Sequence, residues 1–303
     1  MNKILLVNSN NERCGVFQMG HDVFRCLQGS DKFEITHGKF GSLHEFISSF
    51  DEDNNEVTHI ILNKHTATLN FLHPQVIHAV REAGIKVLIM PHDEIIQYPR
   101  ELIDHVLWLD PTMTAQAGES ILGRPVVPVD LSGISPSKRL TVGFSGWCFK
   151  HKRIELLLEK MEGIDCFFNI HFSPYDNHRE YEYEEFIKNS FNRRGNVKFN
   201  HDFLTSDELT LFLAQNTVNI FPYEDREVIN RGISSITDHA LASRRPFLLS
   251  DSNMFRHFAD IKEKVSLHRT SIVDCVANYK EYLKPYWDKW TPEKMQEIVF
   301  NAL

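Results

Sequence analysis

Short apolar runs alternate with amphipathic segments along the first part of the chain. Val16 to Leu27 and HPQVIHAVREAG (His73 to Gly84) carry apolar residues at helical spacing, and the second segment ends on a glycine suited to a helix C-terminus. Four apolar runs in this part of the chain predict strands that are buried on both faces. They are KILLVN (Lys3 to Asn8), VTHIILN (Val57 to Asn63), KVLIMPH (Lys86 to His92) and HVLWLD (His105 to Asp110).

The alternation starts again after PVDLSGISPSKR (Pro128 to Arg139), a Pro-, Ser- and Gly-rich segment that we interpret as a linker. Helices are predicted from Arg153 to Met161 and over Ser235 to Ala242, and Ser271 to Leu303 is predicted to be helical with a break at Pro285. The second set of predicted strands is LTVGFSG, CFFNIHF, NVKFNH, VNIFPY and PFLLSD. The fold class is therefore α/β, with two Rossmann-like parallel-sheet domains facing across a cleft and ligands beyond the carboxyl ends of the strands.

Composition supports two soluble domains. The chain has 303 residues and a net charge of −8, which gives no general attraction to nucleic acid or anionic membrane. The N-terminal apolar run is too short for a signal peptide, and no run reaches the length of a membrane span. The five cysteines form no CxxC pair, which favours free, mostly buried thiols in a reducing compartment. We expect a cytoplasmic protein.

Several common catalytic motifs are missing from the sequence. It contains no Walker A loop, GxGxxG, HExxH or GxSxG. These absences argue against P-loop kinases, classical dehydrogenases, zincins and α/β-hydrolases.

The turn GISS (Gly232, Ile233, Ser234 and Ser235) lies where the sequence predicts that a strand is followed by a short helix. The first amides of a helix have no helical partner and attract anions, and a glycine lets a ligand approach the backbone. We predict contacts to a phosphate or sugar here, the alternative being that Ser234 or Ser235 only caps the helix. Asp238, one turn further on, is either a ligand contact or a solvated acid on the helix face.

The second half of the chain resembles the C-terminal domain of GT-B glycosyltransferases, in particular the retaining group called family 4. The matching features come in order: VGFSGWCFKHKRIELLLEKM, NVKFNHDFLTSDELTLFLAQNTVNIFPY and GISSITDHALASRRPFLLSD. The N-terminal opening and MPHDE also fit. The resemblance implies an acceptor-side domain over residues 1–132, a nucleotide-sugar donor domain over 133–285, and a C-terminal helix over 286–303 that crosses back to the first domain.

The resemblance also implies roles for individual residues. His92 and Lys152 are the implied catalytic residues, with His92 on the donor sugar and Lys152 on the donor diphosphate. Asp238 would bind ribose hydroxyls. Histidine and lysine also occur as core or solvated residues, and those alternatives stay open at both positions. The remaining implied donor contacts are Gly15, Lys150, Arg153, Asn230 and the four residues of the GISS turn.

The chain departs from the family at one position of this turn. The family carries two glutamates separated by seven residues, and Asn230 and Asp238 occupy that spacing here. The second acid is therefore shorter and the first is neutral. Glu224, Asp225 and Glu227 lie just upstream and are candidates to supply the charge.

The resulting expectation is an enzyme that moves a sugar from a nucleotide sugar to an acceptor, with retention and without a metal or other cofactor. Its partners would be the nucleotide sugar and an acceptor that is a glycan, a lipid-linked glycan, a small molecule or a modified DNA base. Three alternatives stay open at this point: a non-catalytic nucleotide- or glycan-binding protein, an epimerase or phosphorylase, and a glycosyltransferase acting on modified DNA bases.

Overall fold

The chain forms two compact units in a computed structural model that describes residues 1–51, 56–174, 181–225 and 232–303. The first unit contains Met1–Val127, Gly232 and Lys289–Leu303. The second contains the other described residues, from Pro128 to Asp288. Each unit is built on one parallel sheet.

The sheet of the first unit has the strand order β2-β1-β3-β4-β5-β6, so the direction of winding reverses between β1 and β3. Its strands are β1 (Asn2–Ser9), β2 (Phe33–Phe40), β3 (His59–Lys64), β4 (Lys86–Pro91), β5 (His105–Trp108) and β6 (Glu119–Ile121). Its helices are α1 (Gly15–Leu27), α2 (Leu43–Asp51), α3 (Pro74–Glu82) and, from the end of the chain, α9 (Pro292–Ala302).

The sheet of the second unit has the order β11-β10-β7-β8-β9, and its winding reverses between β7 and β10. Its strands are β7 (Thr141–Gly146), β8 (Phe167–Phe172), β9 (Val197–Asn200), β10 (Val218–Phe221) and β11 (Phe247–Leu249). Its helices are α4 (Leu156–Lys160), α5 (Tyr181–Asn192), α6 (Ser206–Ala214), α7 (Ile236–Ala242) and α8 (Ile272–Lys289), with 3₁₀ turns over Lys150–Lys152 and Asn253–Ile261.

The first sheet is covered on both faces. Alternate residues of β1 enter different cores: Val7 packs with Ile60 and Leu62 on one face, and Leu6 packs with Ile61 on the other. The second face is closed by α1 and α9. The prediction of a parallel sheet buried on both sides is therefore confirmed for this unit.

Sequence patterns missed the edge elements of the first unit. The run FEITHGKF forms β2, and three residues from Glu119 form β6. Both strands lie at an edge of the sheet, where polar and partly exposed side chains are tolerated. They therefore lack the continuous apolar run by which the central strands were predicted. The helix α2 was missed as well.

Two predicted helix boundaries were wrong. The helix expected from Arg153 begins only at Leu156, because Arg153 has a left-handed backbone (φ +46°) that ends the preceding 3₁₀ turn. The break expected at Pro285 is absent, since α8 runs through it to Lys289. Pro285 is solvent-exposed, so water can bind the carbonyl that its missing N–H leaves without a donor. The helix stops before Thr291, which caps α9.

All five cysteines are free, and all but Cys14 are buried, as the sequence predicted. Within the described ranges, no helix combines the length and the apolar character needed to cross a membrane.

Candidate functional site

Two fully buried asparagines lie at the carboxyl edge of the first sheet, where its winding reverses. Asn8 is near the end of β1 and Asn63 near the end of β3. The Asn63 Nδ2 donates to Asn8 Oδ1 at 2.9 Å, which links the two strand ends directly. His92 follows β4, and its Nε2 lies 2.6 Å from Asn63 Oδ1. Edges where the winding reverses are the usual ligand sites of such sheets.

These amides also hold the start of α1. Asn63 Nδ2 donates to the carbonyl of Val16 at 2.8 Å, and Asn8 Nδ2 donates to the carbonyl of Phe17 at 3.0 Å. Gly20 permits this close packing, because a Cβ there would clash with both amides. Gly15 begins the helix and is exposed, and a Cβ at Gly15 would meet no protein atom within 4 Å. The structure therefore leaves room for a ligand at the predicted Gly15 contact.

His92 is a neutral, hydrogen-bonded side chain. Burial, with Arg124 and His65 adding positive charge nearby, lowers the pKa of His92 to about 3. At neutral pH it is therefore an uncharged hydrogen-bonding group and not a cation. Gly232 of the same unit lies against its backbone, since a Cβ at Gly232 would clash with the His92 carbonyl oxygen. The structure thus brings together two of the predicted site residues.

The second sheet carries a buried cation at its carboxyl edge. Lys152 ends the 3₁₀ turn that follows β7, and only 8 % of its surface is exposed. Its Nζ lies 3.3 Å from the centre of the Tyr223 ring, and Tyr223 follows β10. The strands β7 and β10 are the pair between which this sheet reverses its winding. The ring attracts the ammonium group and holds it at the place expected for an anionic ligand.

The other two basic residues of this turn have different surroundings. Lys150 is exposed. Arg153 binds Glu155 through its Nε at 2.6 Å and Glu224 through a terminal nitrogen at 3.2 Å. These hydrogen bonds raise the pKa of Arg153 above its usual value. Arg153 and Glu224 therefore neutralise one another in part. The donor contacts of Lys150 and Arg153, and the role of Glu224 as a replacement for the missing acid, remain predictions.

Asp238 is only 2 % exposed, which rules out a solvated acid on the helix face. It lies in the first turn of α7, a helix of seven residues. The Ser235 side chain makes no capping hydrogen bond, and the Ser234 amide donates to the Met254 carbonyl at 3.2 Å. That amide is thus used within the protein. The predicted donor contact of Ile233 remains a prediction.

Parts of the predicted site lie outside the described residues, namely Asn230 and Glu227. Asp225 accepts hydrogen bonds from the Ser252 hydroxyl at 2.6 Å and from the Asn253 amide at 2.8 Å. It is therefore bound within the second unit, where it fixes the start of the 3₁₀ segment. Nowhere in the described ranges do three or more His, Cys, Asp or Glu side chains form a group that could hold a metal ion.

Sequence reasoning missed Asn8, Asn63 and Tyr223. A signal for the asparagines was present, because the runs KILLVN and HIILN both end in Asn. Parallel strands end at the same edge, so these amides could have been placed side by side. Tyr223 closes the run NIFPY, but nothing in the sequence pairs that ring with Lys152.

The two-unit architecture is similar to that of solved glycosyltransferases. The Anabaena protein Alr3699/HepE, in complex with UDP and glucose, aligns with a TM-score of 0.65 and 9 % identity over 100 % of this chain and 99 % of that chain. AviGT4, a glycosyltransferase involved in avilamycin A biosynthesis, aligns with a TM-score of 0.64 and 11 % identity over 100 % and 97 %. The UDP-forming trehalose-phosphate synthase from Burkholderia xenovorans, in complex with glucose-6-phosphate, gives 0.60 and 10 % over the whole of both chains.

These similarities identify the GT-B fold, as the sequence predicted. No protein-family model matches the chain, and no curated protein matches it. At 9–11 % identity the solved structures show the fold alone. Any assignment of an activity must therefore come from the residues at the two sheet edges.

Proposed function

We propose that this protein is a glycosyltransferase that moves a sugar from a nucleotide sugar to an acceptor. The observation that carries the proposal is the buried Lys152 ammonium at the winding reversal of the second sheet, within a GT-B fold. A fixed positive charge at this position suits a diphosphate leaving group, whose negative charge grows as the glycosidic bond breaks.

The other proposed site residues bind the ribose and the sugar of the donor. Asp238 is a buried carboxylate that accepts hydrogen bonds from ribose hydroxyls. His92 contacts the donor sugar as a neutral imidazole. Gly232, whose backbone lies against the His92 carbonyl, is a further proposed donor contact. The remaining proposed donor contacts are Gly15, Lys150, Arg153, Asn230, Ile233, Ser234 and Ser235.

The proposed reaction retains the configuration of the anomeric carbon. It needs no metal ion, because the positive charge of Lys152 stabilises the negative charge of the diphosphate. Two measurements test these points separately. Proton NMR of the first-formed product gives the anomeric configuration. Turnover in excess EDTA should match turnover without it, and a loss that Mg²⁺ or Mn²⁺ restores would contradict the metal-independent reaction.

A panel of nucleotide sugars tests the activity itself. UDP-glucose belongs in it because HepE has been solved with UDP and glucose, and GDP-, ADP- and TDP-sugars extend it. We expect one donor to raise the melting temperature and to release its nucleotide slowly. The Asp238→Ala variant should lose both effects. If a nucleotide sugar raises the melting temperature but no nucleotide is released, even with candidate acceptors present, the protein is a binding protein. If no nucleotide or nucleotide sugar has any effect, the proposed donor site is contradicted.

The acceptor is proposed only as a class, a hydroxyl-bearing glycan or small molecule that binds the first unit. The carboxyl edge of that unit contains the uncharged side chains of Asn8, Asn63 and His92, which suit an uncharged, hydroxyl-bearing molecule nearby. A modified DNA base is a less favoured acceptor, because the chain carries a net charge of −8. Salt-dependent binding to DNA would support that alternative.

A further inference from the structure

Four side chains form one continuous hydrogen-bonded chain across the carboxyl edge of the first sheet. His92 Nε2 lies 2.6 Å from Asn63 Oδ1, Asn63 Nδ2 lies 2.9 Å from Asn8 Oδ1, and Asn8 Nδ2 lies 3.2 Å from His37 Nε2. The strands β4, β3, β1 and β2 that carry or precede these residues are neighbours in the sheet. The chain therefore connects a predicted site residue to a histidine on the edge strand.

The surroundings fix the direction of both amides. Asn63 Nδ2 also contacts the Val16 carbonyl at 2.8 Å, and Asn8 Nδ2 contacts the Phe17 carbonyl at 3.0 Å. A carbonyl only accepts, so these two nitrogens are the amide donors. The Ser9 amide donates to Asn8 Oδ1 at 2.9 Å, which confirms that this atom is the acceptor. Turning either amide over would place like groups against each other.

The fixed amides determine where each imidazole carries its hydrogen. Asn63 Oδ1 only accepts, so Nε2 of His92 must carry the hydrogen. Asn8 Nδ2 only donates, so Nε2 of His37 must be the bare, accepting nitrogen. Burial lowers the pKa of His92 to about 3 and that of His37 to about 4, so both rings are neutral at pH 7. A neutral imidazole has one N–H, and the two rings are therefore opposite tautomers.

We infer that Asn63 and Asn8 are positioning residues that hold His92 as the Nε2–H tautomer, so that its Nδ1 presents a lone pair to a hydroxyl of the donor sugar. The part of this inference that concerns the sugar rests on the proposed function. The tautomers themselves do not depend on it. Aligned hydrogen bonds of this kind reinforce one another, which resists a change of tautomer when a ligand arrives.

Long-range ¹H–¹⁵N NMR of the histidine-labelled protein at pH 7 tests the tautomers directly. The sequence has sixteen histidines, and the His92→Gln and His37→Gln variants identify the two of interest by loss of their signals. We expect His92 to carry its hydrogen on Nε2 and His37 to carry its hydrogen on Nδ1. The same tautomer at both positions, or a cation at either one, would overturn the inference.

The Asn63 variants test the positioning role. Asn63→Ala should leave His92 as a mixture of tautomers, and Asn63→Asp should move its titration toward neutral pH because a carboxylate stabilises the imidazolium. His171 of the second unit is the internal control, since its nitrogens lie 2.7 Å from the Ser145 hydroxyl and 2.7 Å from the Asp202 carbonyl. An unchanged His92 in a folded Asn63→Ala protein would show that Asn63 does not position it. If this variant fails to fold, the wild-type spectrum still decides the tautomers.

Addition of UDP-glucose links the tautomer to the ligand. We expect the Nδ1 resonance of His92 to shift while Nε2 keeps its hydrogen, and we expect Asn63→Ala to raise the KM for the donor about tenfold. Binding that leaves Nδ1 of His92 unmoved would overturn the sugar contact. If neither UDP-glucose nor any other nucleotide sugar binds, the proposed function fails, whereas the tautomers remain as measured.

Discussion

Each unit of the protein buries a group of asparagines inside its sheet, but the two groups lie at opposite ends. In the first unit Asn8 and Asn63 are at the carboxyl end, next to His92. In the second unit Asn169 and Asn219 lie toward the amino ends of β8 and β10, and Asn216 precedes β10. The same residue type therefore occurs in two different settings.

The asparagines of the second unit form hydrogen bonds with one another and with the backbone. Asn169 Nδ2 donates to Asn216 Oδ1 at 2.9 Å, Asn216 Nδ2 donates to Asn219 Oδ1 at 2.9 Å, and Asn219 Nδ2 donates to the Leu213 carbonyl at 3.2 Å. These partners join the end of α6 to the sheet. The first group ends instead on two histidines, which can still change protonation or bind a ligand. We infer that carboxyl-end changes alter turnover and amino-end changes alter stability.

The largest effect should come from Lys152→Met at the carboxyl edge of the second sheet. The variant keeps the length of the side chain and removes the charge, so we expect turnover to fall about 100- to 1,000-fold, or about 3–4 kcal/mol. Thermal unfolding is measured alongside, to show that the variant is folded under the conditions of the turnover assay. Lys138→Met, at an exposed position, is the matched control. Turnover that survives in Lys152→Met would remove its assigned role.

The next effect should be on stability alone, in Asn216→Ala. This change leaves the Asn169 and Asn219 side chains without their partner in the core, which costs about 2–4 kcal/mol. Urea unfolding measures the loss. Donor turnover, assayed where the variant is fully folded, should equal that of the wild type. If the fully folded variant nevertheless loses turnover, the asparagines at the amino end of the second sheet do more than stabilise the fold, and the contrast between the two sheet ends is wrong.

A smaller effect concerns pH. The folded-state pKa values of His92 and His37 are about 3 and about 4, below the ordinary value of 6.5, so the unfolded chain binds more protons between these limits. The free energy of unfolding should therefore fall as the pH drops from about 6.5 toward 4, by at most about 1.4 kcal/mol per pH unit for each histidine.

Variants show which sheet end causes this pH dependence. His92→Gln should reduce the slope of unfolding free energy against pH, because one titrating group is removed. Asn216→Ala should lower stability equally at each pH and leave the slope unchanged. Urea unfolding at several pH values measures both, and equal slopes in His92→Gln and the wild type would contradict the depressed pKa of His92.

The smallest effect should be that of Gly15→Ala. The added Cβ meets no protein atom within 4 Å, and alanine favours a helix, so stability should be unchanged or higher by up to about 1 kcal/mol. A ligand that approaches this backbone would meet the methyl group, and the KM should rise several-fold. Gly133→Ala, also in open space, is the matched control. Unchanged kinetics would limit Gly15 to turn formation.

Sequence patterns predicted the central strands of both sheets, because these strands are apolar on both faces. The family resemblance, and not periodicity, pointed to His92 and Lys152, which lie at the carboxyl edges of the two sheets; their catalytic roles remain predictions. Sequence patterns did not predict β2, and His37 could not be assigned to the site without it. The pairing of Arg153 with Glu224 depends on a left-handed residue and on two segments 71 positions apart. Local periodicity holds no information about such contacts.

The return of α9 to the first unit has a consequence for the order in which the protein is made. Met295 and Val299 of α9 pack with Met19 and Val23 of α1 in one core of that unit. On the ribosome, residues 1–127 emerge first but lack this covering until residues 292–302 are synthesised. The second unit, whose residues end at Asp288, has all its parts earlier. The first unit, most of which is translated before the second, is therefore the later of the two to have all the residues of its core.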